Sequence, residues 1–371
     1  MKLPLLPLRE LRRRPSRFIV ATVVLSFLAT LLLFLGGLLD GLYLGSTGAI
    51  RAQRGDVIVY SANARSSFLR SRITADVRDR VTSVQGVGEV GGIGFVLLGA
   101  QVPGETELAD VAVAGYELPP EGVPPPPVDG EGVADSRLQD QGAREGDVIL
   151  VGPAATPITI VGFVDDTAFL QQGTVWVNLA TWRLVLDSNR PDSAVADDVV
   201  QALVVNAADG VPAGQLADAI DAATAGATKS LTLEGAVLAL PGVQQQSDTF
   251  DQIIYSTLVV VLAVVGLFFS LLTIERIGLY GVLKAIGAST GRLFAGVVMQ
   301  AVLVATLSFA IGSALAAGAA AVLPAGIPLQ LIPSRFLFTF VGLVVAAVLG
   351  SAISLRRVTR VDPAAAIGTA S

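Results

Sequence analysis

Four long runs of apolar residues constrain what this chain can fold into more than any other feature of its sequence. Each run lacks Asp, Glu, Lys and Arg, and each reaches the roughly 18 residues that a helix needs to cross the hydrocarbon core of a membrane. The runs are residues 18–39, 253–274, 293–323 and 336–355. The sequence therefore predicts a membrane protein with four transmembrane helices, and its 52% apolar and 15% charged residues agree with that class.

The charged residues divide the chain into segments that we expect on different sides of the membrane. Residues 40–252 hold 28 of the 31 acidic residues but only 12 of the 25 basic ones. Short flanks rich in Lys and Arg favour the cytoplasmic side, and such flanks occur at residues 1–17, 275–292 and 356–371. We therefore expect both termini and the 275–292 loop in the cytoplasm, residues 40–252 outside it, and a short external loop at 324–335. Residues 1–17 are expected to lie as an amphipathic segment on the inner leaflet.

The extracytoplasmic domain is expected to be α+β. Short runs rich in β-branched residues are separated by Gly, Pro and Asp, and a few segments have helical spacing. A proline-rich stretch at residues 119–127 is interpreted as a surface connector. We predict a split α+β subdomain, about residues 50–116 and 200–240, with a small β-rich subdomain inserted at about 128–195.

The loop after the second apolar run carries an apolar stripe that we expect to be buried against another surface. Leu279, Val282, Leu283 and Ile286 recur at i, i+3, i+4 and i+7, which is the spacing of one helical face. A partner protein could cover this face. Alternatively, the face could lie on the membrane and only anchor the exit of the chain. The pattern favours partner docking and leaves the second interpretation open.

The residue inventory argues against several kinds of chemistry. The chain has no Cys and no His, so the usual thiolate and imidazole ligands and the usual catalytic base are missing. Residues 287–291 fit the pattern G-x-S-x-G, but neither a base nor a strand-to-helix turn accompanies them. No Walker-type phosphate loop occurs, and the Asp165–Asp166 and Asp197–Asp198 pairs are interpreted as solvated surface. We predict no catalytic residue, no metal site, no nucleic-acid partner and no enzymatic activity.

Several segments resemble the FtsX-like permeases of ABC exporters, of the MacB, LolC and DevC type. In that family the loop after the second membrane helix follows the pattern R-x-x-E-x-x-V-L-[RK]-A-[IL]-G-A-S. This chain matches it from Arg276 to Ser289, except that Leu279 stands where the family usually has Glu. Residues 356–367 resemble the closing motif of the family, and residues 8–18 and 56–65 resemble the DevC-type and haem-exporter permeases most in appearance. A haem substrate does not follow, because the chain has no His.

The resemblance implies a homodimeric permease subunit in a bacterial plasma (inner) membrane. A separate dimeric ATPase would bind ATP and Mg²⁺, and no cofactor is expected in this chain. Movement of the ATPase would pass through the coupling loop, residues 275–292, to the external domain and extrude a hydrophobic or amphipathic substrate, a mode of action called mechanotransmission. The residues expected to contact the ATPase are Arg276, Leu279, Tyr280, Val282, Leu283, Lys284 and Ile286.

Substrate contacts are expected near the outer edge of the membrane, at Tyr43, Asp40 and Tyr255. Membrane lipid is an expected partner, and a membrane-fusion or periplasmic protein is a further candidate. The alternative function is a non-transporting FtsX-like regulator that activates a cell-wall hydrolase or another external partner. A hydrophobic compound between the first and second helices would favour export over regulation. Small residues in the third run, including Gly312 and Gly318, would allow close helix packing in a bundle or dimer, and the alternative that they reflect alanine-rich composition with no specific partner stays open.

Overall fold

The computed structural model of the protein describes residues 16–275, 286, 289–324 and 327–358. It divides into two compact units. The helical unit comprises the described parts of residues 1–41 and 247–371, and the sheet unit comprises Leu42–Gln246.

The helices are α1 (Ser16–Arg51), α2 (Ala75–Thr82), α3 (Arg137–Asp140), α4 (Leu179–Asn189), α5 (Ala213–Ala223), α6 (Leu233–Leu238), α7 (Val243–Glu275), α8 (Thr290–Val322) and α9 (Pro333–Val358). The strands are β1 (Val57–Ser61), β2 (Val87–Gln101), β3 (Leu108–Tyr116), β4 (Glu131–Asp135), β5 (Val148–Val151), β6 (Thr156–Val164), β7 (Gly173–Asn178), β8 (Ala202–Ala207) and β9 (Thr228–Thr232).

The four predicted transmembrane helices are confirmed as helices. The stretches Phe18–Arg51, Val243–Leu271, Ala295–Val322 and Pro333–Ala352 are long and apolar enough to cross a membrane. However, α1 has 36 residues and α7 has 33. At about 1.5 Å per residue each is roughly 50 Å long, well beyond the thickness of hydrocarbon. Both helices continue past their apolar runs, because a charged residue such as Asp40 ends an apolar run without ending a helix.

Close contacts between backbones hold the helical unit together. A Cβ atom added to Gly312 of α8 would lie 2.7 Å from Ala29 Cβ and 2.9 Å from Ser26 O on α1. One added to Gly350 of α9 would lie 2.9 Å from the backbone nitrogen of Gly266 on α7. Gly318 differs, since its added Cβ would meet no described atom within 4 Å. The predicted close packing of small residues therefore applies to Gly312 but not to Gly318 within this chain.

The nine strands of the sheet unit form one sheet, and six of them close into a ring. The pairings run β2–β3–β7–β4–β6–β5 and return from β5 to β2. The remaining strands β8, β1 and β9 extend from the first half of β2, which has 15 residues and so serves both parts. The predicted α+β class of this unit is confirmed. The strands of the predicted insert are nevertheless not separate, because they share the ring with β2 and β3.

One face of the ring carries a core that α4 covers. Alternate residues of the ring, such as Val113, Ile160 and Val175, form an aliphatic core with α4. Trp182 of α4 packs against Gly94 and Gly115, which are paired in register on β2 and β3. An added Cβ at Gly115 would lie 2.5 Å from Trp182 Cβ. Because these two glycines have no side chains, the indole of Trp182 can pack directly against the strands, and this contact positions α4 on the ring.

Candidate functional site

Most of the predicted coupling residues lie outside the described residues. These are Arg276, Leu279, Tyr280, Val282, Leu283 and Lys284. Of the predicted set only Ile286 is described, and its side chain is 78% exposed. Contact of this loop with an ATPase stays a prediction.

A groove lies between α1 and α7 in the helical unit. Its volume is about 480 Å³. Leu28 and Leu31 line it from α1. The residues that line it from α7 are Thr249, Gln252, Ile253, Ser256, Thr257 and Val260. These positions repeat every three or four residues, so a single face of α7 forms the wall.

The wall of the groove is mainly apolar and includes a few polar side chains. Leu28, Leu31, Ile253 and Val260 supply aliphatic surface. Thr257 adds its methyl group, since its hydroxyl donates to the carbonyl of Ile253 at 2.8 Å within the helix. Gln252 and Ser256 lie one turn apart on α7 and are both exposed. Hydrogen-bonding groups are therefore present beside the apolar surface. This arrangement suits an amphipathic molecule.

Asp40, a predicted substrate contact, is engaged by an arginine. Arg335 at the start of α9 donates from Nε to Asp40 Oδ2 at 2.8 Å and from Nη2 to Oδ1 at 2.6 Å. Gly36 permits this approach, since an added Cβ would lie 2.5 Å from Arg335 Cδ. One turn away, the backbone N–H of Gln330 donates to the carbonyl of Gly37 at 3.0 Å. The structure thus gives the Asp40 carboxylate an internal partner, and a role in substrate contact stays a prediction.

The three predicted substrate residues are not brought together at the groove. None of Asp40, Tyr43 and Tyr255 lines it. Tyr255 is 67% exposed on α7. Tyr43 belongs to the sheet unit, where the Arg51 guanidinium carbon lies 5.8 Å from its ring centroid.

Sequence reasoning missed the groove residues, although a signal for them exists. Gln252, Ser256 and Thr257 recur at helical spacing in and beside a run that is otherwise apolar. Polar residues on one face of a membrane helix mark a cavity or a packed interface. The partner of Asp40 was missed for another reason, since residues 324–335 were interpreted as a loop and Arg335 lies within them.

In sequence, this chain is similar to known permeases. Residues 253–363 match the model of the family described as FtsX-like permease C-terminal. The putative hemin transport system permease protein HrtB of Staphylococcus epidermidis is 20% identical over 371 residues, covering 97% of this chain and 98% of that protein. The uncharacterized ABC transporter permease Rv0072 of Mycobacterium tuberculosis is 26% identical over 372 residues, with the same coverage of 97% and 98%. The periplasmic region of MacB from Actinobacillus actinomycetemcomitans aligns with a TM-score of 0.35 at 11% identity, covering 50% of this chain and 92% of that structure.

Proposed function

We propose that this chain is an FtsX-like permease and the membrane subunit of an ATP-driven exporter. The match of residues 253–363 to that family's model and the alignment of permeases over 97% of the chain support this proposal. ATP and Mg²⁺ are bound by a separate ATPase dimer, because this sequence contains no Walker-type phosphate loop. The permease itself is non-catalytic and works as a homodimer. It lies in a bacterial plasma membrane with both termini in the cytoplasm, as the distribution of basic residues indicates.

The groove between α1 and α7 is the observation that carries the substrate class. Its volume of about 480 Å³ lies within the roughly 300–1,000 Å³ range of small-molecule sites. Leu31, Ile253 and Val260 line it and are each at least 40% exposed, so an apolar chain can enter from the side. Gln252 and Ser256 can hydrogen-bond a polar group next to that chain. We therefore assign a hydrophobic or amphipathic substrate that enters from the membrane.

The sequence of the coupling loop supports the proposed coupling mechanism. Leu279, Val282, Leu283 and Ile286 insert into the ATPase, with Arg276 and Lys284 at the rim of the contact. At Leu279 the contact is apolar, whereas the family uses Glu there. Nucleotide-driven closure of the ATPase then moves the extracytoplasmic domain.

Photo-crosslinking tests the groove directly. The permease with its ATPase is placed in nanodiscs that contain a diazirine-labelled palmitic acid, and the labelled peptides are identified by mass spectrometry. We expect label on residues 28–31 and 249–260. Val260→Trp fills the groove and should lower that label about tenfold. The control Leu267→Trp alters another exposed position of the same helix and should leave the label unchanged.

Two results would contradict the export proposal. Equal labelling of all exposed helix positions would show that the groove is no binding site. Loss of label in Val260→Trp with every ATP-dependent activity of the complex intact would show that the groove lies on no transport path. That second outcome would favour the regulator, whose expected signature is a cell-wall hydrolase or adaptor bound to residues 40–252.

A further inference from the structure

The sheet unit contains a second cavity, of about 460 Å³, that export does not explain. It lies where the parallel neighbours β3 and β7 end, at the register pair Tyr116 and Asn178. Asn178 caps α4 by accepting the Thr181 N–H at 2.8 Å, so the helix begins at the cavity wall. Sheets with parallel strands commonly bind ligands beyond the carboxyl ends of those strands.

Arg183 supplies an unsatisfied donor at this cavity. Leu179 and Arg183 line the cavity one turn apart on α4, and the contact of Trp182 with the paired glycines fixes the orientation of that helix. The Nε atom of Arg183 is buried and has no hydrogen-bond partner among the described residues. No described residue forms a hydrogen bond or a salt bridge with the Arg183 side chain, and because this residue lines the cavity, the outer nitrogens of its guanidinium can donate to an acceptor from outside the chain.

The neighbouring arginine is already neutralised. Arg78 donates from Nη2 to Glu117 Oε2 at 2.6 Å and from Nη1 to Oε1 at 3.1 Å. The backbone N–H of Gly92 also donates to Oε2, at 2.6 Å. Burial alone would raise the pKa of Glu117, but these hydrogen bonds and the charges of Arg78 and Arg183 lower it overall. Glu117 is therefore an ionised carboxylate that is hydrogen-bonded to Arg78. Arg183 is then the arginine at this cavity that can bind an anionic group of a ligand.

The rim of the cavity carries the opposite charge. Asp197 and Asp198 line the cavity, and both are exposed. The lining residues therefore include the Arg183 guanidinium and two exposed carboxylates, so both signs of charge border the same cavity. A simple anion would be repelled by the two aspartates, and a simple cation would leave Arg183 unpaired.

We propose that this cavity binds a small zwitterion, whose carboxylate or phosphate accepts hydrogen bonds from Arg183 and whose ammonium group faces Asp197 and Asp198. The ligand class is an amino acid, a short peptide or a phosphoethanolamine group. This cavity shares no lining residue with the groove between α1 and α7. The zwitterion proposal can therefore be tested separately from the export proposal.

Calorimetric titration of the full-length protein in nanodiscs tests this assignment. The probes are phosphoethanolamine and diglycine, compared with inorganic phosphate, acetate and ethanolamine, which carry one charge type each. We expect at least one zwitterion to bind about tenfold more tightly than either of its halves. Nanodiscs of phosphatidylethanolamine and of phosphatidylglycerol separate the two sources, because a lipid headgroup in the cavity would weaken binding of free phosphoethanolamine only in the former.

Variants of the lining residues assign the two charges. Arg183→Gln should lower the affinity for the zwitterion about tenfold or more, and Arg183→Lys should lower it less. The double change Asp197→Asn and Asp198→Asn should reduce zwitterion binding to the level of the anion alone. Asp192→Asn, an exposed position that does not line the cavity, is the matched control. Binding of phosphate as tight as that of phosphoethanolamine, or no binding of any zwitterion at about 10 mM, would overturn the proposal.

Discussion

Arg335 and Asp40 form a bidentate ion pair that ties the start of α9 to the middle of α1, with two N–O distances of 2.8 and 2.6 Å. The side chains are 21% and 12% exposed. Charges that are mostly removed from water cost free energy unless they are paired and hydrogen-bonded. The pair therefore explains how a carboxylate and a guanidinium are accommodated in otherwise apolar helices.

Removing one partner of this pair should destabilise the helical unit. Asp40→Asn leaves the Arg335 guanidinium without its countercharge, which we expect to cost about 3 kcal/mol. The expected result is a fall of roughly 5–10 °C in the temperature at which the purified protein loses its monodisperse peak in size-exclusion chromatography. Asp248→Asn changes an exposed carboxylate of α7 and should have little effect. If both variants melt alike, the pair does not stabilise the fold.

The close packing of α1 against α8 at Gly312 should make thermal stability sensitive to the volume of the side chain at that position. In Gly312→Val the new side chain meets the Ala29 side chain and the Ser26 carbonyl, which forces α1 and α8 apart at a cost of about 1–3 kcal/mol. Gly318→Val is the matched control on the same helix, because its Cβ has open space around it among the described atoms. We expect the first variant to lose thermal stability and the second to retain it. Equal losses would mean that valine in α8 is harmful by itself.

The number of the membrane helices could be predicted because a run of about twenty apolar residues is long enough to cross a membrane as a helix. Other conformations are unstable there, since they would leave backbone N–H and C=O groups without hydrogen bonds. The end of α1 could not be predicted from apolarity, since Asp40 and the residues after it remain helical. The Asp40–Arg335 pair joins residues 295 positions apart, and nothing local in the sequence marks the two as partners. Likewise, strand periodicity indicates which side chains point inward but not which strands pair. The closure of β5 on β2 is therefore a result of tertiary packing.

Glu117 should make the stability of the sheet unit depend on pH. Its pKa is lowered from 4.5 in the folded protein, so the carboxylate contributes stability above about pH 4.5 and loses it as the pH falls through the lowered value. Glu117→Gln removes this contribution. The difference in the free energy of unfolding between the parent protein and this variant, followed by tryptophan fluorescence, should therefore shrink as the pH falls below that value. Glu107→Gln, at an exposed site, should show no such pH-dependent difference, and a constant difference for Glu117→Gln would contradict the assignment.

The apolar stripe of the coupling loop gives the sharpest test of assembly. Leu283→Asp or Ile286→Asp places a charge in the proposed contact with the ATPase, where burying an unpaired carboxylate is costly. We expect either change to abolish co-purification of the two proteins. Leu69→Asp introduces the same charge at an exposed position of the sheet unit and should leave the complex intact. Leu279→Glu restores the residue of the related permeases. If the partner surface is apolar at this position, as proposed, that change should weaken the complex, and unchanged or tighter binding would show that the ATPase retains a polar partner there.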